Sequence, residues 1–217
     1  MEHECQLREF LVCATSQLDL NLTEKQIGQF LIYLSQLLQW NRTTNLTSIT
    51  DPYEVIAKHF VDSLAGLTAV DFPSKGMVID VGSGAGFPGI PLKIVRDDLQ
   101  LVLIEPVQKK CSFLHSIVGS LKLLDVSIFP GTLQQYVAQK QYRHGDLIVV
   151  RAIRFDEIED QALVALKPKG KVVLYRAEKI GKNHSDGHFK TESERSFSLP
   201  RSHGSRVITV MTRAVST

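Results

Sequence analysis

Two rhythms of apolar and polar positions divide this chain. Over residues 1–75 the apolar positions recur at helical spacing. Ile27, Phe30, Leu31, Leu34, Leu37 and Leu38 form one face running up to Trp40, and Val55, Ile56, His59, Phe60, Ser63, Leu64 and Leu67 form another. The start signals agree. Thr23-Glu24-Lys25-Gln26 spells a capping box, with Thr23 as N-cap and Gln26 reaching back to it, and Asp51-Pro52 puts proline at the first helical position. From residue 76 the rhythm changes. Short apolar runs (Met77–Val81, Leu101–Glu105, Val126–Phe129, Asp146–Val150 and Lys171–Tyr175) alternate with segments of helix length such as 107–121 and 155–166. Such alternation predicts βαβ units and a parallel sheet covered on both faces. The end departs from it. Residues 179–195 read as a polar, turn-rich loop, and Phe197–Pro200 and Arg206–Thr212 as two strands around Gly204.

Composition adds little to that picture. Hydrophobic residues are 43% and charged residues 22%, ordinary for a soluble globular protein. A net charge of +2 is too mild to announce nucleic acid, so such a partner would need a local basic patch. Cys5, Cys13 and Cys111 form no Cys-x-x-Cys and are odd in number, which suits reduced thiols. The opening MEHECQLREF is charged where a signal peptide is apolar, and no apolar run reaches membrane-spanning length. We therefore expect a soluble, cytoplasmic monomer with no membrane partner.

The chemistry concentrates in VIDVGSGAGFPGIP, residues 78–91, which contains two glycine fingerprints. Gly82, Gly84 and Gly86 spell G-x-G-x-G; Gly84, Gly86 and Gly89 spell G-x-G-x-x-G. In nucleotide-binding folds the first glycine follows the first strand directly. That strand ends at Val81, so Gly82 is first, and a dinucleotide fingerprint counted from it meets Phe87 where the third glycine belongs. To start at Gly84 the strand would have to run through Gly82 and Ser83, poor strand residues. Pro88 and Pro91 fit the first turn of a following helix. Asp80 puts an acid at the strand end, suited to a cationic amino group and ill-suited to a pyrophosphate. Glu105, 23 residues beyond Gly82, ends the second strand, where a carboxylate can take ribose hydroxyls. Acid at both places fits a sulfonium donor with an amino-acid tail, S-adenosylmethionine, against the plainer reading of a glycine turn and a solvated Glu.

Two more strand ends line the expected crevice. Leu133 and Gln134 follow the third strand, in reach of an adenine. Arg151 stands directly after the apolar fourth strand, where transfer would occur; the alternative for it is a surface salt bridge. The fourth strand carries neither the Asn/Asp-Pro-Pro-aromatic turn of enzymes that methylate exocyclic base amines nor the Pro-Cys nucleophile of those acting on pyrimidine carbon-5. Guanine N7, with an exposed lone pair, would need neither. Catalysis would then be positioning and electrostatics, without a dedicated general base.

These residues carry a family resemblance. Trp40-Asn41 with Asn45-Leu46-Thr47, then His59-Phe-Val-Asp62-Ser63, Asp80-Val-Gly-Ser-Gly-Ala-Gly-Phe-Pro-Gly-Ile-Pro91, Lys109 with Phe113-Leu114, and Arg151-Ala152 span about Leu22 to Thr212. The chain resembles the GidB/RsmG family, bacterial S-adenosylmethionine-dependent guanine-N7 methyltransferases of small-subunit ribosomal RNA. The resemblance implies an α/β fold: a Rossmann-like seven-stranded methyltransferase sheet with a terminal antiparallel hairpin (residues 76–217) behind a helical N-terminal extension (residues 1–75). By matching position the cofactor would contact Gly82, Phe87, Leu133, Gln134 and Arg151, joining Asp80, Gly84, Gly86 and Glu105. Arg151 is the expected catalytic residue. Lys109, Arg154, Lys179 and Lys182 make the expected RNA-contacting rim. The chain departs from the family at Gln134, where an acid is common, and after strand five. There a Lys-Gly is replaced by Arg-Ala-Glu-Lys-Ile-Gly, leaving Arg176 or Lys179 in its role.

Plainer roles compete for the rest. Trp40, Leu46, Phe60 and Leu64 suit packing; His59 and Asp62, three apart on a helix, suit a local pair or cap; Asn41 and Asn45 suit a fixed loop. The His184/His188 spacing lies in a glycine-containing turn, so no metal is expected. The rival functions are a small-molecule methyltransferase, a non-catalytic RNA-binding or ribosome assembly factor that keeps the loop as a relic, and, last, a dinucleotide oxidoreductase.

Overall fold

The computed structural model describes residues 2–179 and 187–214. Helices lead. The chain opens with α1 (Glu2–Ser16) and α2 (Glu24–Thr44). Thr23 caps α2 through a complete capping box, and Asn45 ends it in the left-handed region at φ 49°. Asn41 then braces the exit, donating from Nδ2 to the Thr47 carbonyl (2.8 Å) and accepting from the Thr47 amide (2.9 Å). Asp51 caps α3 (Pro52–Val55), which widens into a single π segment, Ile56–Val61, before α4 (Asp62–Leu64) and a 3₁₀ turn, Ala65–Thr68. Trp40, Leu46, Phe60 and Leu64 all pack: Trp40 lies edge-on to Phe113 at 5.7 Å, and the other three are buried.

The second half is a seven-stranded sheet. In chain order come β1 (Met77–Val81), α5 (Gly89–Val95), β2 (Gln100–Ile104), α6 (Gln108–Ser120), β3 (Val126–Phe129), α7 (Leu133–Val137) and β4 (Gly145–Arg151). After them follow α8 (Glu159–Ala165), β5 (Leu166–Arg176), β6 (Phe189–Ser198) and β7 (Ser205–Arg213). The spatial order is β3-β2-β1-β4-β5-β7-β6. β7, inserted between β5 and β6, runs opposite to both. The strand order reverses between β1 and β4, so their carboxyl ends open the crevice in which such sheets bind ligands.

Three boundaries differ from the pattern. β6 begins at Phe189, inside the stretch read as loop, and ends before Pro200. Its side chains are mostly polar and exposed or half-buried, which leaves no apolar run to detect. The hairpin turn is not made at Gly204 alone: Arg201, Ser202 and Gly204 all have positive φ. The segment 155–166 splits into a 3₁₀ turn, Phe155–Glu157, and the short α8.

Strand alternation decides which side chains share a face. Val78, Leu147 and Val149 enter the core formed with α1, α2, α5 and α6; Met77, Ile79, Val81, Ile148 and Val150 enter a second core with α7 and α8. Asp80 is in register with Leu103 and Val149, and Arg151 with Tyr175, all residues of the first core. Asp80 and Arg151 therefore point to the face covered by the N-terminal helices. No described helix is long and apolar enough to cross a membrane.

Candidate active site

The loop after β1 shows which glycines do what. Gly82, Gly84 and Gly86 have φ of 70°, 59° and 94°, a region that L side chains rarely adopt. Gly89 has no such backbone. It opens α5 at the closest approach of helix to sheet, where an added Cβ would lie 2.6 Å from Asp80 Oδ2 and 2.9 Å from Leu103 Cδ2. The loop is pinned at several points. The Gly82 and Ser83 amides donate to the Ile104 carbonyl (2.9 and 3.1 Å), the Ser83 hydroxyl donates to the Asp80 carbonyl (3.0 Å), and the buried Tyr33 hydroxyl of α2 donates to the Ala85 carbonyl.

Two carboxylates flank this loop. Asp80 is fully buried and accepts from the Gly89 amide at Oδ2 (2.8 Å), while its Oδ1 has no partner among the described residues. Burial pushes its carboxyl up to about 7, against the pull of the Gly89 amide and Arg151. A buried acceptor left without a donor is costly, so this position has room for a hydrogen-bond donor, and an ammonium group is one that would suit it. Glu105 bridges loop and helix, accepting from the Gly84 amide at Oε2 (2.8 Å) and from the Val107 amide at Oε1 (2.9 Å). A carboxylate accepts about four bonds, which leaves room for hydroxyl donors. The residues present fit an amino-acid-tailed nucleoside. Leu133, at the start of α7, is buried, and Gln134 beside it is exposed; Thr132 caps that helix through a second capping box with Gln135.

Arg151 is no free surface residue. Its Nη1 donates to Asp62 Oδ2 (3.2 Å) and to the Lys58 carbonyl (3.3 Å), and its Nη2 faces His59 Nδ1 at 3.2 Å. The guanidinium carbon sits 5.0 Å from the centroid of Phe87, and the His59 ring stacks on the same phenyl at 4.5 Å. Burial, then the Arg151 charge, lowers His59 to about 3, so the imidazole is neutral. Because Arg151 can only donate, Nδ1 is the acceptor, and Nε2 carries the proton toward Thr47 Oγ1 at 2.9 Å. Burial raises Asp62, opposed by Arg151 and Arg206. His59 and Asp62 thus serve one arginine rather than each other.

Asp80, the three loop glycines, Phe87, Glu105 and Arg151 come together at the carboxyl ends of β1, β2 and β4. The expected rim is less uniform. Lys109 and Lys179 are exposed, whereas Arg154, also exposed, is held by Asp156 (2.5 Å) and Glu157 (3.8 Å) of its own turn. Lys182 lies outside the described residues, as does His184, while His188 faces Asp160 at 3.1 Å. Among the described residues no group of three or more His, Cys, Asp or Glu is placed to hold a metal. Reading by pattern passed over Tyr33 and the acceptor role of Thr47. Tyr33 falls three residues after Phe30 on the buried face of α2, and a buried hydroxyl there must find a partner.

Residues 26–208 match the family model for GidB, rRNA small subunit methyltransferase G. The chain belongs to the GidB family. It is accordingly a methyltransferase, one that uses S-adenosylmethionine. GidB relatives align along most of its length. The "Ribosomal RNA small subunit methyltransferase G" of Lachnoclostridium phytofermentans is 33% identical over 192 residues, 84% of this chain and 79% of that one. The protein of the same name from Oceanobacillus iheyensis is 31% identical over 214 residues, 94% and 90% of the two chains. In structure, the GidB fold seen here is similar to TrmN from Thermus thermophilus, with a TM-score of 0.57 at 14% identity, covering 71% of this chain and 49% of that one. At that identity the likeness shows the fold alone.

Proposed function

We propose that this chain transfers a methyl group from S-adenosylmethionine to N7 of a guanosine in small-subunit ribosomal RNA, as a cytoplasmic enzyme meeting the RNA or the assembling subunit. Family membership supports the RNA class. The single observation that carries the donor reading is the buried Oδ1 of Asp80, unpartnered among the described residues, beneath a loop of positive-φ glycines on the sheet face that Arg151 also occupies.

The donor, when bound, supplies a methyl group on a positively charged sulfur. In this reading Asp80 holds its amino group through the free oxygen, and Glu105 takes the ribose hydroxyls with its remaining lone pairs. Leu133 and Gln134 meet the adenine, Leu133 by contact and Gln134 by a neutral hydrogen bond. Gly82, Gly84 and Gly86 let backbone approach without side chains between. Phe87 closes the inner wall. Arg151 orients the base toward the donor. N7 keeps its lone pair at neutral pH, so no side chain has to remove a proton first; the neutral His59, spent on Arg151 and Thr47, is consistent with that. Lys109, Arg154, Lys179 and Lys182 would contact phosphates around the crevice. Residues 76–217 form the catalytic domain, and residues 1–75 a helical extension that completes it by holding Arg151 and the glycine loop.

The test is direct. Protein, isotopically labelled donor and small ribosomal subunits or their naked RNA are incubated, and the product is digested and mapped. N7-methylguanosine at one position is expected. A methyl group on any other atom overturns the guanine-N7 reading, and donor binding without transfer to RNA overturns the substrate class.

A further inference from the structure

We propose that His59 is a positioning residue for Arg151: its Nδ1 grips the second terminal nitrogen of the guanidinium, and Thr47 holds the imidazole that does so. The inference rests on the reading of Arg151 as the group that orients donor and base.

The geometry separates the three acceptors around Arg151. Asp62 Oδ2 and the Lys58 carbonyl both engage Nη1, at 3.2 and 3.3 Å. Acceptors on Nη1 alone leave the other arm of the fork unheld. His59 Nδ1 is the acceptor at Nη2, at 3.2 Å, so both terminal nitrogens are gripped. Nε–H and one Nη2 proton remain without a partner among the described residues, two donors of a planar fork for the acceptor oxygens of a substrate.

His59 is itself held on every side. Its Nε2–H donates to Thr47 Oγ1 at 2.9 Å, and that hydroxyl also accepts from the Ile49 amide at 3.1 Å. The ring lies on Phe87 with an interplanar angle of 19°, and the arginine lies over the same phenyl. Both His59 and the Lys58 carbonyl belong to the π segment Ile56–Val61, whose wide turn departs from the α-helical hydrogen-bond ladder. One side chain thus joins the helical extension, the Phe87 wall of the glycine loop and the end of β4.

Two variants split the two hydrogen bonds of the ring. His59→Asn keeps an acceptor oxygen where Nδ1 stands; His59→Gln keeps an N–H near the place of Nε2 and loses the acceptor toward Arg151. Both give up the stack on Phe87. The full-length variants are compared for kcat and donor KM with small subunits, for thermal midpoint, and for the Arg151 guanidinium resonances, assigned with Arg151→Lys. Positioning predicts that H59Q loses kcat by on the order of 10²-fold with little change in donor KM, and that H59N recovers most of that loss. It also predicts slower guanidinium rotation of Arg151 in wild type and H59N than in H59Q, where only the Nη1 bonds remain. Equal losses in the two variants, following their thermal midpoints, would make His59 a packing residue and overturn the proposal, as would wild-type kcat in H59Q. Should the wild-type protein methylate no ribosomal RNA, the functional reading fails by itself. The guanidinium resonances then still decide whether His59 holds Arg151, identical rotation in H59N and H59Q refuting it.

Discussion

Replacing glycine by alanine in a helix ordinarily stabilises, by up to about 1 kcal/mol, because alanine loses less backbone freedom on folding. Gly89→Ala is expected to do the reverse. Gly89 is the first residue of α5, its φ is unremarkable, and propensity alone favours the change. The added Cβ, however, would lie 2.6 Å from Asp80 Oδ2 and 2.9 Å from Leu103 Cδ2, both buried at the helix–sheet contact. One methyl forced into a packed core costs about 1–3 kcal/mol. Moving Asp80 away also weakens a buried hydrogen bond from the Gly89 amide, worth about 1 kcal/mol or more. Set against a propensity gain of less than about 1 kcal/mol at a helix end, the net expectation is a loss of roughly 1–3 kcal/mol. Urea unfolding monitored by circular dichroism measures it. Calorimetric titration with S-adenosylmethionine should show weakened binding as well, because the displaced carboxylate is the one proposed to hold the donor's amino group. Gly28→Ala and Gly119→Ala are internal controls: both glycines lie in helices with nothing within 4 Å of an added Cβ, so both should stabilise. A G89A protein as stable as wild type, or stabilised like the controls, refutes the claim that this glycine is required by close packing rather than by backbone conformation.

The remaining expectations follow from the same contacts. Tyr33→Phe removes the hydroxyl that pins the Ala85 carbonyl and leaves that acceptor buried, so it should cost about 1–3 kcal/mol in thermal or urea unfolding and raise the Kd for the donor. Asp80 has a carboxyl at about 7 in the folded chain against 3.8 for the free group, so the folded state holds the proton more tightly and stability should fall as pH rises from 3.8 to about 7. Asp80→Asn should flatten that slope in pH-resolved unfolding. Donor affinity of the wild type should run the opposite way, strengthening as pH rises through about 7, because only the carboxylate pairs with an ammonium group; a pH-independent Kd would count against Asp80 as its partner. Thr23→Ala removes the cap of α2 and should cost about 1 kcal/mol, read as a lowered thermal midpoint with the donor Kd unchanged.

Much of this protein is legible in the order of its residues, because the features concerned obey local rules. Capping boxes, a proline at a helix start and apolar periods of two or near four need only a few neighbours to declare themselves, and the helices and the central strands follow from them. The special backbone of the glycine loop is legible for the same reason. Positive φ is a demand on one residue at a time, and Gly82, Gly84 and Gly86 meet it where Gly89 does not. Only the end of strand β6 is legible, because from Phe189 onward its mostly exposed, polar side chains offer no apolar signature. What only the tertiary structure decided is the company kept at long range. Alternation along β4 says that Arg151 shares a face with Leu147 and Val149, but not which element covers that face. The sheet order and the packing of the N-terminal helices bring Lys58, His59 and Asp62 to it across some ninety residues of chain. Two of these residues looked like a local pair in the sequence. They became the socket of an arginine because hydrogen-bond geometry is satisfied by position in space, and spacing along a helix fixes only which side of it a residue faces.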